Sequence, residues 1–326
     1  MIKDVSLIIP CKNNEENITK LLLGLICWDE APSEIIIIDS SIKKFAIPEE
    51  FKNFLSKYNI KLKVIYGENF YPGHARNIGI NASTNPLVAF LDASTFPSDQ
   101  WLSGSLKIFK EENCEGLWGN TYYQADTYMK KIFRACSYGA RPVQTLPGSI
   151  FKKNVFNKCG LFIEDTRAGE DADWISRNRL HKINMFLTEE ILIYNELNKN
   201  NIKELLKKWF RNYTYTSKLP YFRAHKDFYF YIISFIAILS AYNWNRILPS
   251  WDTRDILYIP NVTTGMVLLL FFGYILVRGI ALPFKKGDEL SFIFPVNFIV
   301  IATMSAIIDT IKAIAFGYSR MINKWN

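Results

Sequence analysis

The sequence has few residues of the kinds that build metal centres and disulfide frameworks. It contains three histidines and five cysteines in 326 residues, with no C-x-x-C pair and no paired histidine spacing. We interpret the cysteines as reduced structural thiols, which agrees with a cytosolic environment. The sequence also lacks G-x-x-x-x-G-K and G-x-G-x-x-G, which disfavours a kinase or a dinucleotide oxidoreductase. The length excludes a small disulfide scaffold and is ample for a large core.

The first 200 residues lack a net charge. They hold 24 basic and 24 acidic residues, so the formal charge of +8 lies entirely in the last 126 residues. Positions 201–226 alone contribute seven basic residues and one acidic residue. Because the predicted globular part has no basic excess, we expect no nucleic acid partner.

Long uncharged apolar stretches follow this basic segment. The mean hydropathy of +0.01 is high for a basic chain, which indicates apolar stretches that the average dilutes. Positions 228–244, 258–277 and 290–308 carry no charged residue. We predict three transmembrane helices there, since about 20 apolar residues cross a bilayer. The alternative is that one of them is an interfacial or re-entrant helix, and the stretch 228–244 is the main candidate for this.

Basic residues flanking these stretches predict the orientation. Arg223 and Lys226 would share one side with Arg278, Lys285 and Lys286. The positive-inside rule then places the N-terminal part in the cytoplasm of a multi-pass inner, or cytoplasmic, membrane protein. We also expect no cleavable signal peptide, because the apolar run at 5–10 is too short for one.

The N-terminal part alternates β-branched runs with helical segments, which predicts an α/β domain. Strands are expected at 5–10, 34–39, 61–66 and 86–92, with helices between them. Parallel strands of this kind bind ligands at their carboxyl ends. Asp39 and Asp92 end two of these strands, where a buried carboxylate needs a partner or a function.

Five ordered motifs resemble the family 2 glycosyltransferases of GT-A fold, in their membrane-anchored bacterial form. They are SLIIPCKNNEENITKLLLGL, EIIIIDSS, GHARNIGINAS, VAFLDAST and AGEDADW, and the resemblance covers roughly residues 4–195. It implies a Rossmann-like, mostly parallel open sheet. We divide the chain into a catalytic domain at 1–200, a basic amphipathic juxtamembrane segment at 201–226 and a transmembrane region at 227–326.

The resemblance also implies a nucleotide-sugar site. In similar enzymes the loop after the first strand surrounds the base and ribose, and the acid ending the second strand, here Asp39, hydrogen-bonds the base. Ser40 replaces the acid that frequently comes next, so the donor stays open between UDP and GDP types. Arg76 lies where the family brings a cation near the nucleotide. The nucleotide-sugar residues expected from the resemblance are Pro10, Lys12, Asn13, Glu15, Asp39, Arg76 and Asp92.

Asp92-Ala93-Ser94 aligns with the family's D-x-D motif, which holds a divalent cation on the diphosphate. The second carboxylate is missing, so Mg²⁺ or Mn²⁺ would depend on Asp92, Ser94, the diphosphate and water, or on a helper such as Asp99.

An acidic group in 169–174 resembles the family's catalytic motif. The implied catalytic residues are Asp171, as the general base, and Glu170. Glu170 and Asp173 would orient the acceptor or the helix, and Asp173 and Trp174 are expected on the acceptor side. Trp174 has two alternatives, packing on the sugar or on the core. For the acids, the structural alternative is favourable placement at a helix N-terminus.

The expected activity is therefore an inverting transfer of a sugar to a polyprenyl-linked or glycolipid acceptor, in envelope or exopolysaccharide synthesis. Basic residues among Leu205, Leu206, Trp209 and Phe210 predict an interfacial helix near such an acceptor. One alternative is a catalytically silent sugar-nucleotide-binding or scaffolding subunit, which Ser40 and Ser94 favour. A processive polysaccharide synthase is disfavoured, because no Q-x-x-R-W follows the acidic motif.

Overall fold

The computed structural model describes residues 2–195, 197, 201–219 and 262–322. These residues form two compact units. The first contains the described residues up to Thr127 together with Pro142–Leu205. The second contains Tyr128–Arg141 and the described residues from Leu206 onward. A short segment between two strands of the first unit therefore belongs to the second unit.

The first unit is an α/β domain with an eight-stranded sheet. The strands are β1 (Ile2–Cys11), β2 (Ala31–Asp39), β3 (Lys61–Tyr66), β4 (Leu87–Phe90), β5 (Thr95–Phe96), β6 (Gly116–Tyr123), β7 (Val143–Lys152) and β8 (Met185–Tyr194). The helices are α1 (Glu15–Leu25), α2 (Glu49–Tyr58), α3 (Pro72–Ala82), α4 (Trp101–Glu111), α6 (Val155–Cys159) and α7 (Glu170–Leu180). The predicted α/β class and its four N-terminal strands are confirmed.

The strand order β3-β2-β1-β4-β7-β6-β8-β5 brings the predicted site residues to one edge. Strands β1 to β4 pair in parallel, with Cys11 opposite Asp39 and Ile8 opposite Phe90. The loops that follow β1, β2 and β4 consequently lie side by side. The sheet is mixed, because β7 runs antiparallel to both β4 and β6.

Two hydrophobic layers cover the sheet, which explains the continuous apolar runs of its central strands. Leu7 and Ile35 face a layer that includes Leu21 of α1 and Trp101 of α4. Alternate residues such as Ile8 face the opposite layer. Both faces of the sheet are therefore buried. The predicted site residues after β1, β2 and β4 lie at the edge of the sheet, which these layers leave open.

The second unit is helical. It contains α5 (Tyr128–Cys136), most of α8 (Ile202–Thr216), α9 (Val262–Tyr274), a π-helical segment (Ile275–Ala281), α10 (Leu282–Lys285), α11 (Leu290–Ile293) and α12 (Asn297–Ile322). Two stretches of the described residues, Leu268–Lys285 and Asn297–Ser319, are helical, long and apolar enough to cross a bilayer.

The structure corrects the bounds of two predicted spans. The helix predicted to end at 277 continues to Lys285, so Arg278 lies inside a candidate span and not in a loop. The last long helix begins at Asn297, not at position 290, because Pro295 has no amide hydrogen and Phe294 before it is extended. The span predicted at 228–244 lies outside the described residues, as does the end of the basic segment.

Helix α5 interrupts the first unit along the chain and was not anticipated from the sequence. Tyr128 donates a hydrogen bond to Asn297 at 2.8 Å, and the thiol of Cys136 contacts the carbonyl of Ile301 at 3.3 Å. Its apolar face, with Ile132 and Phe133 buried, is thus covered within the second unit. The partner of this short helix lies some 165 residues further along the chain.

Helix α8 packs its aromatic side chains inside the second unit. Trp209 contacts Phe133 with ring centroids 6.3 Å apart, and Phe210 contacts Tyr318 at 5.9 Å. The exposed face carries basic residues four positions apart, namely Lys203, Lys207 and Arg211. Trp209 and Phe210 are half-buried in these contacts, and the interfacial role of the segment stays a prediction.

Candidate active site

Asp39 lies at the carboxyl end of β2, and one of its two carboxylate oxygens accepts a hydrogen bond. Its Oδ1 accepts the backbone N–H of Ser41 at 2.9 Å, and its Oδ2 is buried with no hydrogen-bond partner among the described residues. A buried acceptor without a partner is costly, so it marks a position where a ligand donor would be stabilising.

The loops after β1 and β2 are tied together next to this carboxylate. The N–H of Asn13 donates to the hydroxyl of Ser41 at 2.6 Å, and the N–H of Ile42 donates to Oδ1 of Asn13 at 3.1 Å. Burial raises the pKa of Cys11 to about 12, and the charge of Asp39 adds to the shift. The thiol therefore stays neutral. Asn13 joins the two loops through its backbone N–H and its side-chain amide oxygen.

The other predicted residues of this loop differ in exposure. Pro10 and Lys12 are half-buried, and Glu15 is exposed in the first turn of α1. All three lie at the edge that Asp39 occupies, because β1 and β2 end opposite each other.

Arg76 of α3 joins two carboxylates from distant parts of the chain. One terminal nitrogen donates to Glu170 at 2.7 Å, and the other donates to Asp92 at 3.0 Å. The Arg76 side chain is only 5% exposed. Its Nε is buried with no hydrogen-bond partner among the described residues, so the assignment of Arg76 to the nucleotide-sugar site stays a prediction.

Electrostatics in this group follow from its burial. Burial disfavours the charged guanidinium, but Asp92, Glu170 and Asp171 outweigh that cost and raise the pKa of Arg76. Burial and the charge of Asp171 raise the pKa of Glu170 to about 7, against the contacts from Arg76 that favour its carboxylate. Adjacent acids thus have unlike environments, since Asp171 is half-buried at the start of α7.

The acidic motif forms the first turn of α7. Gly169 precedes it with a φ of 89°, a left-handed conformation that glycine adopts without strain. Oδ1 of Asp171 accepts the N–H of Ala172 at 2.8 Å, and Asp173 accepts from Arg177 at 2.9 Å. Of the predicted pair, Asp171 is therefore the carboxylate that is only partly covered.

The loop before α7 is clamped to α3. The Asn77 amide both donates to the carbonyl of Phe162 and accepts from its N–H, each at 2.9 Å. Gly73 approaches so closely that an added Cβ would lie 2.1 Å from the carbonyl oxygen of Ile163. Asn77 belongs to the GHARN motif, but only the fold reveals that it positions the acidic helix against Arg76.

Trp174 is a core residue, which corrects its assignment to the acceptor side. Its side chain is fully buried, with ring centroids 4.9 Å from Phe151 and 5.0 Å from Phe162. Its indole N–H donates to the carbonyl of Gly160 at 2.9 Å. Of the two alternatives, the structure selects packing on the core.

The D-x-D position provides few metal ligands. Asp92 and Ser94 are half-buried in the turn after β4, and one oxygen of Asp92 already contacts Arg76. In the described ranges, no group of three or more His, Cys, Asp or Glu side chains is arranged to hold a metal ion. This donor set fits a cation that is shared with a diphosphate, because Mg²⁺ is commonly held by one or two carboxylates plus substrate phosphates.

The N-terminal half of the chain is similar to known glycosyltransferases. Residues 6–160 match the family model described as Glycosyl transferase family 2. Glycosyltransferase AglE of Haloferax volcanii is 28% identical over 161 residues, which cover 49% of this chain and 52% of AglE. Poly(ribitol-phosphate) beta-N-acetylglucosaminyltransferase TarS of Staphylococcus aureus is 26% identical over 116 residues, which cover 34% of this chain and 20% of TarS.

A similar solved structure is the mannosyltransferase PcManGT from Pyrobaculum calidifontis, in complex with GDP-Man and Mn²⁺. It has a TM-score of 0.49 at 13% identity and covers 98% of this chain and 88% of that one. The chain thus spans about half or less of the length of the curated relatives named above. Residues 6–160, slightly less than half of the chain, thus have the sequence pattern of the family 2 glycosyltransferases.

Proposed function

We propose that this glycosyltransferase moves a sugar from a nucleotide-diphospho-sugar to a hydroxyl of a lipid-linked acceptor, with inversion at the anomeric carbon. The observation that carries this proposal is the Arg76 bridge, because it ties Asp92, on the turn after β4, to the acidic start of α7. A donor side and an acceptor side are thereby held together by one buried cation.

Asp171 is the proposed general base. As the acceptor oxygen bonds to the anomeric carbon, the bond from that carbon to the diphosphate breaks, and the acceptor proton passes to Asp171. The nucleoside diphosphate leaves with the bonding electrons. Glu170 does not take this role, because it is buried against Arg76. Asp173 is paired with Arg177, which suits a part in orienting the helix and the acceptor.

The donor base would bind at the edge formed by Asp39 and the loop from Pro10 to Glu15. The free Oδ2 of Asp39 would accept one base N–H, and Lys12, in the loop after β1, is the proposed partner of the diphosphate or ribose. The base stays open between uracil and guanine.

A divalent cation, Mg²⁺ or Mn²⁺, would be held by Asp92 and Ser94 together with the donor's diphosphate. When bound, it would neutralise charge on the leaving diphosphate. Arg76 holds Asp92 in place through a hydrogen bond to Oδ1 of that carboxylate.

The proposed acceptor is a polyprenyl-linked or glycolipid molecule of envelope or exopolysaccharide synthesis. Two apolar helices and the basic segment 201–226 support a membrane location, with the catalytic domain on the cytoplasmic side. The name of TarS, a relative over a third of this chain, describes transfer to a phosphate-containing polymer.

The test uses the full chain in nanodiscs with a panel of UDP- and GDP-sugars and lipid acceptors. We expect release of nucleoside diphosphate with one donor and one acceptor, and a product of inverted anomeric configuration by NMR. Retained configuration would contradict the mechanism. Nucleotide binding without any turnover would favour a silent subunit, and growth beyond one added sugar would favour a processive synthase.

A further inference from the structure

A second charged cluster lies in the helical unit, within the two candidate spans. Asp309 of α12 accepts a hydrogen bond from Arg278 on Oδ1 at 3.0 Å, and its Oδ2 lies 2.9 Å from Nε of Arg278 in an ion pair. The hydroxyl of Tyr274 donates to the same carboxylate at 2.9 Å, and Lys312 lies 3.5 Å from it. The Asp309 side chain is 5% exposed and that of Arg278 is 13% exposed. Charged groups this well covered in apolar helices usually have a function.

Aromatic rings from α8 hold Lys312 in place. Its ammonium lies 4.9 Å from the ring centroid of Trp209 and 5.1 Å from that of Tyr213. The faces of aromatic rings attract cations, and the attraction grows as water is excluded. The lysine is therefore kept at a fixed position instead of extending freely into solvent.

Lys286 adds a third cation. Its ammonium donates to the carbonyl of Ser137 at 2.5 Å, and burial together with the charges of Arg278 and Lys312 lowers its pKa. We call Arg278, Lys286 and Lys312 the C-terminal cationic cluster. Asp309 is the acid that pairs with Arg278 and Lys312. Among the described residues, the three cations therefore exceed this one acid by two charges.

A second buried acid does not remove this excess. Asp288 lies in the field of Lys286, but it also faces Arg134, and burial raises its pKa to about 6. Counting Arg134 and Asp288 together leaves the excess of positive charge unchanged. Like charges held together away from water are unfavourable, which is the electrostatic condition that an anion relieves.

The surroundings of the cluster indicate which anion fits. Arg278 lies in the π-helical segment Ile275–Ala281, a conformation that is frequent at functional sites. The same helical stretch exposes large apolar side chains, namely Leu268, Leu269, Phe271, Phe272 and Leu276. A phosphate monoester has about two negative charges at neutral pH, and an attached acyl or prenyl chain would cover apolar surface of this kind.

We propose that the C-terminal cationic cluster binds the phosphate group of a lipid. The arginine provides fixed planar donors, the two lysines complete the charge, and the exposed apolar helix faces accept the lipid chain. The inference goes beyond the proposed function, because the bound lipid need not be the molecule that receives the sugar.

The experiment measures binding to the purified full chain in detergent by microscale thermophoresis. The three probes are dioleoyl phosphatidic acid, dioleoylglycerol and inorganic phosphate. We expect saturable binding of phosphatidic acid, with the other two probes at least about tenfold weaker. Equal binding of inorganic phosphate would overturn the lipid assignment, and equal binding of dioleoylglycerol would overturn the phosphate assignment.

Variants test the cluster itself. Lys312→Gln should weaken phosphatidic acid binding by about tenfold, the loss expected for one charge-assisted hydrogen bond, and Lys312→Arg should restore most of it. Lys285→Gln is the matched control, since Lys285 is an exposed lysine on the neighbouring turn, and it should bind like the wild type. If Lys312→Gln lowers the melting temperature but leaves lipid binding unchanged, the cluster only fastens helices together and the proposal is wrong.

Discussion

Arg76 should be the residue whose loss costs the catalytic domain most. Its contact with Glu170 joins side chains that are 5% and 7% exposed, so removing the cation leaves a carboxylate in a buried site. Breaking a buried pair in this way costs about 3–5 kcal/mol. The contact with Asp92 adds little, about 0–1 kcal/mol, because that side chain is 32% exposed.

We therefore expect Arg76→Gln to lower the free energy of unfolding by about 3–5 kcal/mol. For a domain of this size that corresponds to a fall in melting temperature of about 6–20 °C. Melting is followed by intrinsic fluorescence of the full chain in detergent. Arg179→Gln is the control, since Arg179 is exposed on α7, and it should change stability by less than about 0.5 kcal/mol.

A double-mutant cycle separates the buried pair from other effects. Glu170→Gln in the Arg76→Gln background removes the stranded carboxylate, so the double variant should be more stable than the sum of the single losses by at least about 1 kcal/mol. Additive losses, or an Arg76→Gln variant as stable as the Arg179→Gln control, would refute the bridge as an energetic link.

Three further predictions concern other groups of the catalytic domain. Glu34 accepts hydrogen bonds from Lys63, Ser6 and Thr84, which hold its pKa at about 2 against the effect of burial. Because this pKa is depressed, Glu34→Gln should cost about 3 kcal/mol at neutral pH, and the difference from wild type should shrink as pH falls from about 5 to 2 in melting experiments. A constant difference over that range would contradict the assignment. Asp39→Asn should weaken nucleoside diphosphate binding by about tenfold in calorimetry, with melting unchanged, and equal binding would remove Asp39 from the base site. Mn²⁺ should bind measurably only in the presence of the donor, because Asp92 and Ser94 alone are too few ligands, and stoichiometric binding to the free protein would contradict this.

The sequence was sufficient for the first four parallel strands of the sheet and for the residues at their carboxyl ends. The apolar run Ile35–Ile38 is fully buried. In an α/β pattern, a continuous run of this kind predicts a central strand that is covered on both faces. The positions of Asp39 and Asp92 followed from where these runs end. Local pattern determines these features, so one sequence was enough to predict them.

Long-range partners were beyond sequence reasoning. The hydrogen bond from Arg76 to Glu170 joins positions 94 residues apart. No local feature of the sequence around Arg76 predicts this partner. Trp174 follows the acidic motif directly, yet the helix turns it into the core. Helix α5 is polar enough to be taken for part of a loop until α12 covers its apolar face.

The spans show the same limit. An apolar run gives the approximate place of a membrane helix, but Pro295 decides where α12 begins and the pairing of Arg278 with Asp309 allows charge inside both helices. From composition alone, Arg278 is predicted to lie in a loop, because a charge is unfavourable inside a membrane helix. Its acidic partner Asp309 is 31 positions away and is not evident from the local sequence.

The most direct test of the account is the turnover of Asp171→Asn in the full chain, with the donor and acceptor that support activity in the wild type. The account predicts unchanged donor affinity and a rate of nucleoside diphosphate release lower by about 10²–10⁴-fold, as expected for a lost general base. Asp165→Asn, at an exposed acid in the preceding loop, should keep the wild-type rate. An Asp171→Asn enzyme that keeps the wild-type rate would contradict the central claim.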